Sequence, residues 1–168
     1  MQTCDLLIKD STVLIKSDVI SRHADIAVSD GRILEVGPDL GKMYQAAETL
    51  CGKGKLFMPG LIDSHMHTGQ QLLKGQVLDA KPIIWTRIML PFEKMRLSAQ
   101  AAALEMIKCG TAGFIDAGSY YMEDAADVYG RSGLRGALSY STMDEEGLPD
   151  SIAMDADEAV RRTDSLYD

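Results

Sequence analysis

Residues 56–69 read LFMPGLIDSHMHTG, and this stretch decides the fold. An apolar run, a Pro-Gly pair and a second apolar run lead into His65-Met66-His67, which uses two of the chain's three histidines. The run from Leu61 to His67 predicts a short strand, and residues two apart on a strand point to one face. His65 and His67 then project together, with Asp63 on the same side. Two neutral imidazoles side by side bind a divalent ion at about 2.0–2.1 Å, but they are too few for a tight site and need partners from elsewhere. The alternative is two chance neighbours, one exposed and one in an ordinary hydrogen bond. The surrounding sequence bears on which reading applies.

Downstream, residues 68–97 are expected to be long and irregular. SAQAAALEMIKCG (98–110) then predicts a helix, with Ser98 as N-cap, Ala103, Leu104 and Ile107 on one face, and Gly110 as terminator. TAGFID (111–116) follows as a strand, MEDAADVYGRSG (122–133) as a helix, LRGALSYST (134–142) as a strand and DADEAVRRTDSLYD (155–168) as a helix. Alternating strands and helices imply an α/β fold with a parallel sheet. The histidine pair would sit at the C-terminal end of the first such strand, where α/β proteins place their chemistry.

Upstream, the grammar is β. CDLLIKD (4–10) and TVLIK (12–16) are short β-prone runs, and HADIAVSDGRILEVG (23–37) alternates around Asp30-Gly31, a two-residue hairpin signal. KLFM (55–58) is a further strand. The glycines of CGKGKLF (51–57) resemble a phosphate loop, but no helix follows them, so a turn is expected. The composition shift at Pro59 divides the chain into a β segment, 1–58, and a βα region, 59–168.

Bulk composition narrows the function classes. The 168 residues are 46% hydrophobic with a net charge of −8 and an isoelectric point of about 4.8. An acidic chain repels phosphate polyanions, so nucleic acid is not an expected partner. Residues 144–168 carry nine acids against Arg161 and Arg162, a pattern of solvated helix faces. Cys4, Cys51 and Cys109 form no CxxC pair and read as free thiols filling core. Without a signal-peptide or membrane-span pattern, a cytoplasmic protein with no membrane partner is expected.

MPGLIDSHMHTGQQLLKG (58–75), together with DGRILEVG, LPFE and ALEMIKCGTAGFIDAG, resembles the amidohydrolase superfamily. The resemblance is to the branch of chlorohydrolases, cytosine and guanine deaminases, and deaminases of S-adenosylhomocysteine and methylthioadenosine. It implies a metal-dependent hydrolase (β/α)8 TIM barrel preceded by a small β-sandwich segment. It also implies metal ligation by His65 and His67 with a divalent metal, zinc first and iron as the alternative. The implied reaction is hydrolytic: a metal-activated water displaces an exocyclic amine as ammonia, or less often a halide, from an aminated heterocycle or nucleoside.

Glu93 in LPFE matches a glutamate that hydrogen-bonds ribose hydroxyls in nucleoside-type relatives, the alternative being a solvated loop acid. Trp85 lies near a tryptophan the family often has there and would stack on a purine, the alternative being local core. Tyr140 falls where relatives taking a carboxylate-bearing nucleoside tend to place an arginine. Asp116 would sit at a pocket rim or, in the plainer reading, serve a turn or cap. No catalytic acid or base is assigned within these residues.

A full barrel needs about 250 residues, and residues 59–168 suffice for about three βα units. The chain is therefore expected to be the N-terminal portion of such an enzyme, incomplete and inactive alone. It would associate as a homo-oligomer or with a complementing chain. The alternatives are a non-catalytic remnant, one half of a split hydrolase, and a chlorohydrolase or cyclic-amidase type of enzyme.

Overall fold

The computed structural model of the chain describes residues 1–76, 79, 81, 92–141, 150 and 153–166, with backbone alone at 92 and 93. They form two compact units, Met1–Pro59 and Gly60–Asp168.

The first unit is one mixed sheet of β1 (Gln2–Lys16), β2 (Val19–Ser29), β3 (Arg32–Gly37), β4 (Tyr44–Cys51) and β5 (Leu56–Phe57), in the order β3-β2-β1-β4 with β5 also on β1. The strands of this unit make one sheet and not, among themselves, the two layers of a sandwich. The two short runs expected at 4–10 and 12–16 are one long strand interrupted by a register shift between Ile8 and Ser11. Asp10 there has φ 57, and its N–H donates to Asp25 Oδ1 at 3.0 Å. The β2–β3 hairpin turns at Asp30 (φ 50) and Gly31 (φ 67), the two positive φ values that a tight right-twisted turn demands. Gly52 and Gly54 lie in a turn closed by Lys55 N–H on the Gly52 carbonyl (2.9 Å), not in a phosphate loop. Leu7 and Ala27, cross-strand partners, share a cluster with Leu40 and Tyr44, whereas Val13, Ala24 and Ile26 form a separate one.

The second unit alternates β6 (Leu61–Met66), α1 (Phe92–Cys109), β7 (Thr111–Ser119), α2 (Met122–Ser132), β8 (Arg135–Tyr140) and α3 (Ala156–Asp164). The three strands are parallel in the order β6-β7-β8. Helix α1 starts six residues before the expected cap. Ser98 is buried inside it, and its hydroxyl donates to the Thr68 carbonyl at 2.5 Å instead of capping an end. The buried face of α1 is Met95, Ala99, Ala102, Ala103 and Met106; Leu104 and Ile107, expected to share a face with Ala103, are exposed.

The small alanines let α1 approach Phe114 of β7 and Met122, Ala125, Val128 and Tyr129 of α2. Complete burial of Met95 and Met122 stabilises by about 1.5–3 kcal/mol each over leaving them in water. On the surface Arg96 bridges α1 to Asp124 and Asp127 of α2, both at 2.6 Å. Exposed pairs of this kind contribute about 0–1 kcal/mol. Ile115, next to the buried Phe114 on β7, is 47% exposed, as is fitting for the face of the sheet away from that core.

Helix α3 begins at Asp155, whose carboxylate accepts Glu158 N–H at 2.7 Å, and carries Glu158 paired with Arg161 and Arg162. Where the acidic run lies within the described residues, Ala156–Asp164 is a charge-paired helix with most of its residues exposed or half-buried; residues 144–149, 151 and 152 lie outside them. No helix among the described residues is long and apolar enough to cross a membrane.

Candidate metal-binding site

The register of β6 against β7 shifts twice: once between Leu61 and Ile62, and again between Asp63 opposite Phe114 and Met66 opposite Asp116, where β6 carries one extra residue. Such a bulge re-aims the side chains beyond it. Unbroken alternation from Asp63 to the histidines is therefore lost. Asp63 instead accepts the His65 N–H on Oδ1 at 3.2 Å, fixing the bulged backbone. Asp63 thereby orients the strand by hydrogen bonding.

The two histidines do come together. Their ring centroids lie 5.1 Å apart at an interplanar angle of 84°. His65 is exposed and His67 half-buried. His67 lies one residue past the end of β6, in extended backbone at φ −133, ψ 107. Its Nδ1 is 2.5 Å from the Gly118 carbonyl oxygen. A carbonyl only accepts, so Nδ1 carries the proton and Nε2 keeps its lone pair when the ring is neutral. Metal-binding histidines are typically oriented in this manner, with the far nitrogen held by a carbonyl or carboxylate. Rings at that separation suit two nitrogens converging on one ion at about 2.1 Å. Two imidazoles so placed form a donor pair whose chemistry suits a divalent metal. Among the described residues no cluster of three or more His, Cys, Asp or Glu side chains is placed to complete the set.

Thr68, directly after His67, is fully buried and heads a polar network. Asp116 Oδ2 accepts both Thr68 N–H (3.0 Å) and Thr68 Oγ1–H (2.5 Å), while Oδ1 accepts Gly118 N–H (3.0 Å). Asp116 is 1% exposed and so is not at a rim; its Oδ1 bond to the N–H two residues on is the turn role of the plainer reading, made inside the core. Since the Thr68 hydroxyl proton goes to the carboxylate, the Tyr129 hydroxyl 2.7 Å away donates to Thr68 Oγ1. Ser119 Oγ accepts Gly69 N–H at 3.2 Å.

Burial pushes the Tyr129 phenol up to about 12, and the Asp116 charge adds to the rise. An unfolded tyrosine titrates near 10. The folded chain therefore holds this proton longer, and the stability it carries is complete below pH 10 and lost as pH rises towards 12. The urea midpoint is expected to fall through that window, and more shallowly in Tyr129→Phe. Identical slopes in the two proteins would refute the assignment.

Asp63 and His67 also line a cleft of about 550 Å³ whose wall includes Lys74, Gln71 and Glu105. The Lys74 ammonium (2.6 Å) and the Gln71 amide (2.5 Å) hold the Glu105 carboxyl below its ordinary range. Glu105 is thereby committed to an ion pair and is a poor general base.

Trp85 lies outside the described residues. Glu93 falls in the first turn of α1, and its side chain lies outside them too. Tyr140 is 3% exposed in the helix-side core, its ring under the Arg162 guanidinium at 6.0 Å. It is a packing residue and not a substitute for a substrate-binding arginine.

The sequence pattern that defines the amidohydrolase family matches residues 56–166. A 5'-deoxyadenosine deaminase of Methanosphaera stadtmanae is 36% identical over 150 residues, covering 85% of this chain and 34% of that protein. A 5-methylthioadenosine/S-adenosylhomocysteine deaminase of Thermococcus onnurineus is 32% identical over 163 residues, covering 93% of this chain and 38% of that protein. Among solved structures, an adenosine deaminase from Xanthomonas campestris with bound zinc superposes with a TM-score of 0.84 at 26% identity, over 99% of this chain and 40% of that one. The chain thus spans between a third and two fifths of the length of each of these relatives.

Proposed function

Because the chain belongs to the amidohydrolase family, we propose that it carries the first two metal ligands, His65 and His67, of a zinc-dependent hydrolase that deaminates a purine nucleoside or related aminated heterocycle. The observation that carries this reading is the paired rings at 5.1 Å with His67 Nδ1–H on the Gly118 carbonyl. When bound, a divalent metal supplies Lewis acidity that brings the pKa of water towards 7. This chain's own residues would present two imidazole nitrogens to it, and the Gly118 carbonyl holds Nδ1 of one ring so that Nε2 is the nitrogen left to bind. The three strand–helix repeats are read as an arc of a (β/α)8 barrel, and the first unit as one layer of a sandwich. An arc is supported by the exposed apolar side chains Leu61 and Ile115 of β6 and β7.

A catalytic zinc takes about three protein ligands plus an acid/base group to move the proton. Two histidines do not meet that need. The zinc-treated 168-residue chain is therefore expected to release no ammonia from 5'-deoxyadenosine by itself. A chimera in which these residues replace the matching third of the Methanosphaera relative is expected to release it, and to stop doing so on His65→Asn. A folded, zinc-loaded chimera silent towards aminated nucleosides would overturn the reading.

A further inference from the structure

We propose that Asp116 is a positioning residue for His67, fixing the ring orientation and tautomer in which His67 presents Nε2; the proposal rests on the reading of His65 and His67 as metal ligands. The sheet ladder alone cannot supply this constraint. The last register pair between β6 and β7 is Met66 with Asp116, so His67 lies just beyond the backbone bonds that hold β6. The Ser98 and Ser119 hydroxyls fasten the Thr68 carbonyl and the Gly69 N–H on one side of His67, but only one carboxylate reaches both its flanks. Oδ2 grips Thr68 by backbone and hydroxyl, and Oδ1 grips the N–H of Gly118, the residue whose carbonyl takes the His67 proton. The result is a closed circuit: Asp116 to Thr68, through the chain to His67, across to Gly118 and back to Asp116.

The residue type follows from the donors. Two backbone N–H groups and a hydroxyl converge on the two oxygens, with Ser119 Oγ at 3.5 Å from Oδ1. A carboxylate offers only acceptors, whereas an asparagine would turn an NH2 towards one of those donors. Among the described residues Asp116 has no ion-pair partner, although it is 1% exposed. A buried charge stabilised by neutral donors alone is costly to keep, and a scaffold needing only to join β7 to the following turn has cheaper means.

The test is long-range ¹H–¹⁵N NMR of the imidazole nitrogens in the metal-free full chain, followed by zinc titration read through the same signals. With three histidines, substitution of His23 and His65 assigns the spectrum. The wild type is expected to show His67 as the Nδ1–H tautomer alone and to respond to zinc at His65 and His67. Asp116→Asn is expected to mix the His67 tautomers and to raise the zinc midpoint about 10–100-fold, the range for residues that orient a ligand. Met122→Ala removes a fully buried side chain from the same core without touching the circuit. It should lower stability yet leave tautomer and zinc midpoint unchanged, which separates positioning from general loosening.

If Asp116→Asn does not fold, Thr68→Val, which deletes one bond to Oδ2, carries the same comparison. An unchanged tautomer and zinc midpoint in these variants, with a zinc-responsive wild type, overturns the role of Asp116 and leaves the metal reading standing. A wild type whose His65 and His67 ignore zinc overturns the metal reading, and with it the purpose for which His67 would be held.

Discussion

Changing His65 and His67 together to asparagine is expected to abolish zinc uptake by the chain, a loss of more than about 100-fold in affinity. The estimate follows from residues that merely orient a ligand, whose removal already costs about 10–100-fold; removing both ligands exceeds it. Asparagine keeps polarity at both positions, so far-UV circular dichroism should be unaltered. The single variants should differ. His67 is held by the Gly118 carbonyl before any ion arrives, whereas His65 is exposed and its ring has to be ordered on binding. His67→Asn should therefore cost more than His65→Asn. Equilibrium dialysis with metal analysis reads all three. The obvious competitor is His23, whose Nδ1 lies 2.7 Å from Asp10 Oδ1 in the first unit. Zinc retained by the double variant and lost on His23→Gln would place the ion there and end the assignment.

What could be read from the sequence was local. The Asp30-Gly31 hairpin is specified by two adjacent residues able to take positive φ, and it formed where expected. The strand–helix alternation from Leu61 onward was likewise legible, because each element carries its own periodicity. β4 was not foreseen. Its sequence, YQAAETLC, has little β-propensity and becomes a strand by pairing with β1 some forty residues earlier. The start of α1 was misplaced because Ser98 is a good cap in isolation, yet its hydroxyl is claimed by the Thr68 carbonyl thirty residues away. The better signal was Pro91 followed by Phe92 and Glu93, since proline favours a helix's first turn and acids favour its N-terminus.

The site divides in the same way. The HxH pair is visible because its two members are near neighbours in sequence, at and just past the end of β6. Its support is not, because Asp116 meets Thr68 across 48 positions of sequence and His67 meets Gly118 across 51. Alternation even misdirects at Asp63, since nothing in LIDSHMH announces a bulge. A one-residue irregularity is settled by how β6 docks on β7, which a single strand's sequence does not contain.

Gly118→Ala is the substitution that should damage both fold and site most. Gly118 has φ +129, a conformation that residues with a Cβ rarely adopt. An added Cβ would lie 2.9 Å from Ser141 Cα, 3.0 Å from Ser141 N and 3.1 Å from the Tyr140 carbonyl oxygen. All three are backbone atoms, so no side chain can swing aside. Ser141 N–H is also bonded to the Ser119 carbonyl at 3.1 Å, which ties the obstructing segment to β7 itself. Strain in a sparsely populated region costs about 1–3 kcal/mol, and overpacking against a rigid neighbour about 1–3 more. A loss of about 2–6 kcal/mol in urea denaturation is expected. Relief requires the 118 peptide to rotate, and that rotation takes its carbonyl away from His67 Nδ1 and its N–H away from Asp116. Any folded fraction of the variant should therefore show weakened zinc binding as well. Gly31→Ala is the proper comparison: it too has a positive φ, at +67, but nothing lies within 4 Å of its Cβ position. That change should bring only the conformational cost and leave zinc affinity untouched. Equal losses at 31 and 118 would mean that the contact with Ser141 and the hold on His67 contribute nothing.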